Sequence, residues 1–386
     1  MKKYKIKIKA FTPIHIGTGE SYEPINFVID NGYLYEFDEI EFFNNLNDLM
    51  KKKFLSAVEK RSDDSLFEVH KIIKENKEIA KKVAFKKVQV SKTLEEEYKE
   101  KIGKVVQFEG KTKNKKVFKN FNIQKTLRLS NSPYQVYIPG SSIKGAILTA
   151  FGEYIYKKDK KLFNEMFNKC TPSQKGNVFK YVSVSDSKPL KTYSVIGYAV
   201  NKERFEDDEQ GPDQQIEVIY SSEKQHSEFE FEFVLKENNC ENDYKIDIEG
   251  IKKSCNEHYL PIFEQMLDGY AYFKGKEVDD FTNEYFSNNF WETYKRLKLK
   301  ENEFLLRVGK FSQARAVTID GLRKIRVKES GGGPKRKPIK WQTLDQETTS
   351  WLFGLNKSDN LMPFGWVICE ILESKNLESK NLKKKL

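Results

Sequence analysis

The segment EFEFEFVL, residues 228–235, alternates charged and apolar side chains before it ends in two apolar residues. In an extended chain, successive side chains point to opposite faces, so the alternation puts one apolar set on one face: Phe229, Phe231, Phe233 and Leu235. The pattern predicts a half-buried β-strand, the clearest strand of the chain.

The elements predicted after this strand give the order of the fold. They are a helical block at about 257–298, strands at 303–308 and 317–327, a short helix at 345–354 and a last strand in FGWVICEIL, residues 364–372. Strand, helix, strand, strand, helix, strand is the βαββαβ order of ferredoxin-like domains. The chain is therefore expected to be an α+β protein.

The first half of the chain permits the same order with large insertions. Its predicted elements are a strand in KYKIKIKAF (3–11), a hairpin at 25–37 around Asp30-Asn31-Gly32, helices from 39 to about 100, a helix with Ser141 as N-cap in YIPGSSIKGAILTAFGEYIY (137–156), and strands at 178–185, 193–200 and 216–220. A polar loop is expected at 201–215.

Length and composition exclude several classes of protein. The 386 residues suggest two or three domains, and 38% hydrophobic residues are enough for a core. No apolar run approaches the roughly 20 residues that span a bilayer. The lysine-rich start, MKKYKIKIKAF, lacks the apolar centre of a signal peptide, and four scattered cysteines fit a reducing compartment. We expect a cytoplasmic protein.

The net charge of +11 is concentrated in two stretches. Residues 295–340 contain 15 Lys/Arg and 4 acids, and residues 101–128 contain nine basic residues and one acid. Both stretches are interleaved with aromatic residues or glycines, which suits single-stranded nucleic acid. An acidic protein partner is the alternative interpretation.

Two glycine-containing motifs are candidates for contact with an anion. In PGSSIKG, residues 139–145, a helix start with two serines and Lys144 can receive a phosphate, although an ordinary capped helix would look the same. TPIHIGTG, residues 12–19, has glycines that would let a loop approach a ligand. It lacks the spacing of a dinucleotide fingerprint and of a P-loop.

Catalytic and metal candidates are weaker. His15 could act as a general base on a ribose 2′-hydroxyl, although no partner for it is identifiable. Cys240, Cys255 and His258 are one ligand short of a zinc site. Asp30 and Asp186 fit turn and capping roles better than a carboxylate pair.

Four motifs in order along the chain resemble one known family. They are PIHIGTGESYEP (13–24), YIPGSSIKGAILTAF (137–151), LLRVGKFSQARAVTI (305–319) and MPFGWVICEI (362–371). Together they are similar to the RAMP superfamily of CRISPR-associated RNA-binding proteins and, within it, to the family of subunit five of the type III-A Csm complex.

The resemblance implies two fused ferredoxin-like, RRM-like domains. Residues 1–222 are then an N-terminal RAMP domain with a helical insertion at about 39–100 and the basic segment 101–128. Residues 223–372 are a C-terminal ferredoxin-like domain, and residues 373–386 are a flexible tail.

The resemblance also implies the partners. In that family the subunit caps the backbone filament near the 3′ end of the guide RNA (crRNA), beside the repeated backbone subunit and the small helical subunit, and supports guide maturation. We therefore expect a non-catalytic guide-RNA-binding and assembly subunit in antiviral defence, with no cofactor, metal or membrane partner. Target RNA remains open as a further partner.

The residues expected to contact RNA come from the motifs and from the second basic stretch. The motifs supply His15, Gly17, Ser141, Ser142, Lys144, Gly145, Arg307, Lys310 and Arg315, and the basic stretch adds Arg323, Lys335, Arg336 and Lys337. Leu148 stands where the family pattern commonly has an arginine, which puts one phosphate contact in question.

Two other functions remain open from the sequence. One is a metal-independent endoribonuclease that processes CRISPR precursor RNA with His15 as general base. The other is a docking platform for host nucleases through the 201–215 loop or the basic tail.

Overall fold

Helices and strands are interleaved along the part of the chain that the structure describes. The computed structural model describes residues 1–60, 63–102, 107–108, 116–117, 121–168, 178–203, 213–222, 224–236, 246–267, 293–295, 297–327, 340–342, 349–358 and 360–376. The helices are α1 (Glu39–Asn44), α2 (Asp48–Glu59), α3 (Asp63–Glu75), α4 (Lys77–Val83), α5 (Lys92–Lys101), α6 (Gly140–Lys158), α7 (Lys160–Phe163), α8 (Ile248–Leu267) and α9 (Gln313–Ala316). In these ranges, no helix has the length and apolar character that crossing a membrane requires.

The strands are spread over the whole chain. They are β1 (Lys2–Ala10), β2 (Gly17–Tyr22), β3 (Phe27–Asp30), β4 (Tyr33–Phe37), β5 (Ala84–Val90), β6 (Gln107–Phe108), β7 (Lys116–Val117), β8 (Ile123–Thr126), β9 (Arg128–Leu129), β10 (Ser132–Val136), β11 (Val182–Val184), β12 (Lys188–Lys191), β13 (Ser194–Glu203), β14 (Asp213–Ile219), β15 (Glu228–Leu235), β16 (Glu303–Arg307), β17 (Ile325–Val327), β18 (Lys340–Gln342), β19 (Thr349–Gly354), β20 (Met362–Pro363) and β21 (Trp366–Asn376).

A six-stranded sheet of the described residues brings the two ends of the chain together. Its order is β11-β15-β1-β21-β16, with β12 also paired to β15. β1 lies antiparallel between β15 and β21, and α6 and α8 pack in the core against this sheet. The βαββαβ order therefore runs through β1, α6, β11, β15, α8 and β21, with β16 as an added edge strand. This confirms the predicted α+β class.

The lysine-rich strand β1 and the EFEFEFVL segment, which is β15, pair antiparallel in this sheet. On the core face, Ile6 lies opposite Phe231 and Ile8 opposite Phe229. On the other face, ion pairs join Lys3 to Glu232, Lys5 to Glu230 and Lys7 to Glu228 at 2.5, 2.8 and 2.9 Å. These lysines are thus already paired with carboxylates.

A nine-stranded sheet is the other large sheet of the described residues. Its order is β2-β8-β14-β13-β5-β4-β3, with β19 paired to β13 and β20 to β19. The predicted hairpin is confirmed as β3 and β4, and its turn has positive φ at Asn31 (52°) and Gly32 (76°). Because two positive φ values fit the twist of paired strands, an Asn-Gly turn is favoured here.

Several elements differ from the prediction. Strand β5 interrupts the helical insertion expected at 39–100. Of the helix expected at 345–354, residues 349–354 form β19 instead, and residues 345–348 lie outside the described ranges. The strand expected at 317–327 is confined to β17, and the 3-10 turn Val178–Tyr181 replaces the start of the strand expected at 178–185.

The predicted domain limits also differ from the topology. Both large sheets contain strands from either side of residue 222, so this position does not separate one sheet from the other. β21 ends at Asn376, four residues into the segment that we expected to be a tail.

Candidate nucleic-acid-binding groove

Three of the four sequence motifs meet at a cavity of about 450 Å³. We call this cavity the groove. Its lining includes Gly17 at the start of β2, Arg307 at the end of β16 and Lys310 just after it. The first turns of α6 contribute Ser141, Ser142 and Gly145. The structure thus brings together six of the predicted RNA-binding residues, which lie far apart in sequence.

Close backbone packing joins these motifs. The amide of Lys310 donates to the carbonyl of His15 at 2.9 Å. Gly309 has a φ of +89°, and a Cβ there would lie 2.6 Å from the same carbonyl. The fourth motif contacts two of the other motifs through its backbone. The carbonyl of Gly365 accepts from the amide of Val308 at 2.8 Å, and its amide donates to the carbonyl of Pro13 at 2.9 Å.

The first turn of α6 forms one wall of the groove. The helix begins at Gly140 with Pro139 as N-cap, so the expectation that Ser141 caps it is wrong. The amide of Gly140 donates instead to the Asp186 carboxylate at 2.8 Å, which is the capping role expected for Asp186. The serines are therefore left to face the groove, near the positive end of the helix dipole.

The cations of the prediction have different partners. Lys144 is not among the groove residues, because its ammonium group donates to the carbonyl of Val182 at 2.7 Å. Arg315 and Arg323 are buried, and they donate to Gln265 Oε1 at 2.5 Å and to Thr318 Oγ1 at 2.9 Å. Their hydrogen bonds connect α9 to α8 and tie together the segment that follows α9. Lys335, Arg336 and Lys337 lie outside the described residues.

Arg307 and Lys310 differ in accessibility. Arg307 is buried, donates to the carbonyl of Phe364 at 2.9 Å and stacks over Trp366, with 4.9 Å between its Cζ and the ring centroid. Lys310 is exposed, and its ammonium group donates to Gln124 Oε1 at 2.8 Å. Lys310 is therefore the cation of the groove that a phosphate can reach directly.

His15 lies behind the groove surface. It is 1% exposed, its Nδ1 lies 2.7 Å from the carbonyl oxygen of Glu217, and a Cβ on Gly17 would lie 3.2 Å from its Nε2. Burial lowers the pKa of His15 to about 4. The imidazole is therefore neutral at pH 7, and it is screened from a ligand in the groove.

A buried polar cluster beneath His15 was not predicted. The Glu217 carboxylate, fully buried, pairs with Arg128 and accepts from Tyr22 Oη at 3.0 Å and from the amide of Thr126 at 3.1 Å. Arg128 belongs to the basic segment 101–128, and its pairing with Glu217 neutralises its charge inside the protein. Lys125, from the same segment, pairs with Glu36 at 2.7 Å.

Gln124 connects the groove to a second cavity of about 260 Å³. Its amide donates to Gln214 Oε1 at 2.6 Å, and both glutamines line that cavity together with Glu97 and Asp213. Only the adjacency of β2, β8 and β14 reveals this link, because the residues follow no recognisable sequence motif.

Two of the three zinc candidates lie in the described residues, and both have other surroundings. Cys255 is buried in the core, and His258 Nδ1 lies 3.0 Å from Glu153 Oε2, while Cys240 lies outside the described residues. In the part of the chain that the structure describes, no three His, Cys, Asp or Glu side chains form a group that could hold a metal ion.

Comparisons with known proteins give one family model and a curated relative. The model of the family described as "RAMP superfamily" matches residues 7–314. A Methanocaldococcus jannaschii protein named "CRISPR system Cms protein Csm5" is 28% identical over 207 residues, which cover 48% of this chain and 43% of that protein. The match thus spans less than half the length of this relative.

Two solved structures share the fold. One is a chain of the "Cryo-EM structure of Csm-crRNA-target RNA ternary complex in type III-A CRISPR-Cas system", with a TM-score of 0.59, 16% identity, and coverage of 96% of this chain and 100% of that chain. The other is the "Crystal structure of T.onnurineus Csm5", with a TM-score of 0.53, 15% identity, and coverage of 94% and 99%.

Proposed function

The chain belongs to the RAMP superfamily, and from this membership we propose that it is a non-catalytic guide-RNA-binding and assembly subunit of a type III-A CRISPR effector complex. Its position would be the cap at the 3′ side of the guide. The partners would be the guide RNA, target RNA, the repeated backbone subunit and the small helical subunit, in the cytoplasm. The names of the relative and of the two solved structures support this assignment.

The observation that carries the proposal is the groove. Serine hydroxyls and a helix N-terminus on one side, and the exposed ammonium group of Lys310 on the other, offer donors to a phosphate backbone. Gly17 and Gly145 leave room for it, since a Cβ on Gly145 would meet no atom within 4 Å.

The groove supports binding better than catalysis. A general base must reach the proton that it removes, and it works best with a pKa near the operating pH. His15 is buried and has a pKa of about 4. The endoribonuclease alternative is therefore not favoured.

Charge reversal at Lys310 tests the groove. Lys310→Glu replaces attraction for a phosphate by repulsion, so we expect about tenfold weaker binding of guide-length single-stranded RNA and a salt dependence reduced by about 0.7 in log–log slope. Fluorescence anisotropy from 50 to 300 mM salt measures both quantities. Lys53→Glu, at an exposed lysine of α2, is the matched control.

A cleavage assay distinguishes the non-catalytic RNA-binding function from the endoribonuclease alternative. Purified protein is incubated with labelled CRISPR precursor RNA, and we expect binding without cleavage in wild type and in His15→Ala. Specific cleavage that His15→Ala abolishes would overturn the non-catalytic assignment. Equal binding by wild type and Lys310→Glu at all salt concentrations would remove the groove from the RNA path.

A further inference from the structure

The paired strands β4 and β5 present an aromatic surface away from the groove. Tyr35 lies opposite Lys87 and Tyr33 opposite Gln89 in the antiparallel register. Phe85 lies at a register shift of this pairing, but it is exposed like Lys87 while Lys86 between them is buried, so Phe85 and Lys87 lie on the same side of β5. Tyr134 of β10 adjoins them, because its hydroxyl donates to the carbonyl of Phe85 at 3.2 Å.

Exposure distinguishes this surface from the rest of the described chain. Tyr33, Phe85 and Tyr134 are 37%, 50% and 59% exposed, and among the aromatic side chains whose exposure the structure gives, no other is more than about a third exposed. We call the five residues Tyr33, Tyr35, Phe85, Lys87 and Tyr134 the aromatic face. Exposed apolar groups that cluster in one place mark an interaction site more often than scattered ones do.

The charge of the aromatic face is positive. The ammonium group of Lys87 lies 3.7 Å from the ring centroid of Tyr33 and 5.4 Å from that of Tyr35. Lys87 forms no ion pair with any other described residue. The nearby carboxylate of Asp30 is buried and is paired with Lys77 and Lys81 at 2.6 and 2.9 Å. Glu78, on the solvent side of α4, pairs with Lys81 at 3.0 Å.

We propose that the aromatic face is a second RNA-binding surface, on which bases of single-stranded RNA stack while Lys87 contacts the phosphates. Aromatic rings accept any base through its π-face, and lysine supplies attraction for the backbone. A purely apolar protein segment would fit less well, because Lys87 follows Phe85 on this side of β5 and Gln89 lies opposite Tyr33. The proposal takes its ligand class, RNA, from the proposed function, but the site is separate from the groove.

The test uses the full chain and a short single-stranded RNA that contains 2-aminopurine. Stacking on a ring quenches this base, so we expect quenching with wild type. The triple variant Tyr33→Ala/Phe85→Ala/Tyr134→Ala should lose the quenching and bind the RNA about tenfold more weakly. Phe85→Tyr should bind like wild type, whereas Phe85→Leu should behave like a loss of the ring. Leu190→Ala, at an exposed leucine of β12, is the control.

Inorganic polyphosphate separates stacking from charge. It carries phosphates without bases, so the triple variant should bind it as well as wild type does, whereas Lys87→Ala should bind it more weakly. Unchanged RNA affinity and quenching in the triple variant, with Lys310→Glu still impaired, would overturn the aromatic face and leave the groove intact. Loss of a subunit from the assembled complex with RNA binding intact would overturn it in favour of a protein contact.

Discussion

Lys144 and Lys310 both belong to motifs that meet at the groove, but their ammonium groups have different surroundings. Lys144 donates to a strand carbonyl in the six-stranded sheet, while Lys310 is exposed at the groove. A cation can contact a phosphate only when its charged group is accessible: Lys310 is exposed although it also donates to Gln124, whereas Lys144 is half-buried. The same distinction separates Lys310 from the buried Arg315 and Arg323. The sequence pattern does not indicate which of these cations is accessible, because the groups to which they donate lie on other helices and strands.

Lys144→Met tests this distinction at the residue scale. The variant loses the hydrogen bond to Val182, so we expect a free energy of unfolding lower by about 1 kcal/mol. RNA affinity should stay within twofold of wild type, in contrast to Lys310→Glu. Urea denaturation and anisotropy give the two values, with Lys188→Met as the control. Normal stability with weakened RNA binding would show that Lys144 contacts the RNA.

At the scale of elements, alternation identified the strands with a regular inner face and failed where that face is irregular. KYKIKIKAF, EFEFEFVL and the last strand were predicted, and all three lie side by side in one sheet. β5 was missed because Lys86, which is buried and paired with Glu36, interrupts its apolar face. β19 was missed because Leu352 and Phe353 are both buried, one on each side, so alternation is lost.

The first turns of α6 offer a matched pair of substitutions. A Cβ on Gly140 would lie 2.4 Å from the carbonyl oxygen of Val184, so Gly140→Ala must move the helix away from β11. We expect it to destabilise the protein by about 2 kcal/mol. Gly145→Ala, in the same helix with free space around it, should stabilise the protein by about 0.5–1 kcal/mol. Urea denaturation measures both, and equal effects would show that the close packing at Gly140 is not strained by a methyl group.

At the scale of the whole molecule, the resemblance predicted the family and the α+β class, and both are confirmed. The order in which the strands pair was harder to predict from the sequence. The pattern predicts EFEFEFVL as the first strand of a C-terminal domain, whereas it is the third strand of the βαββαβ unit that begins with β1. The signal was present, since lysines alternate in one segment and glutamates in the other. Alternation within one segment predicts a strand but does not identify the strand with which it pairs.

Stability should depend on pH through two buried histidines. Burial lowers the pKa of His15 and of His70 to about 4. In the unfolded chain each would titrate near pH 6.5, so the unfolded state binds more protons between these values. Stability is therefore complete above about pH 6.5 and falls as the pH drops towards 4, by up to about 3 kcal/mol for each histidine.

Chemical denaturation at pH 7.0 and pH 4.5 checks this dependence. His70→Gln should reduce the loss of stability between the two pH values, because one of the two titrating groups is gone. A wild-type protein equally stable at both values would contradict the neutral, buried state of these side chains.

The central position of β1 has a consequence for how the protein is made. This strand is synthesised before the other described strands, and its neighbours, β15 and β21, follow more than 200 and 350 residues later. Until then its apolar face has neither partner, and contacts so distant in sequence form slowly. The nascent chain must therefore keep an unpaired strand from aggregating until β15 and β21 have been made, and β1 gains its second neighbour only when β21 arrives.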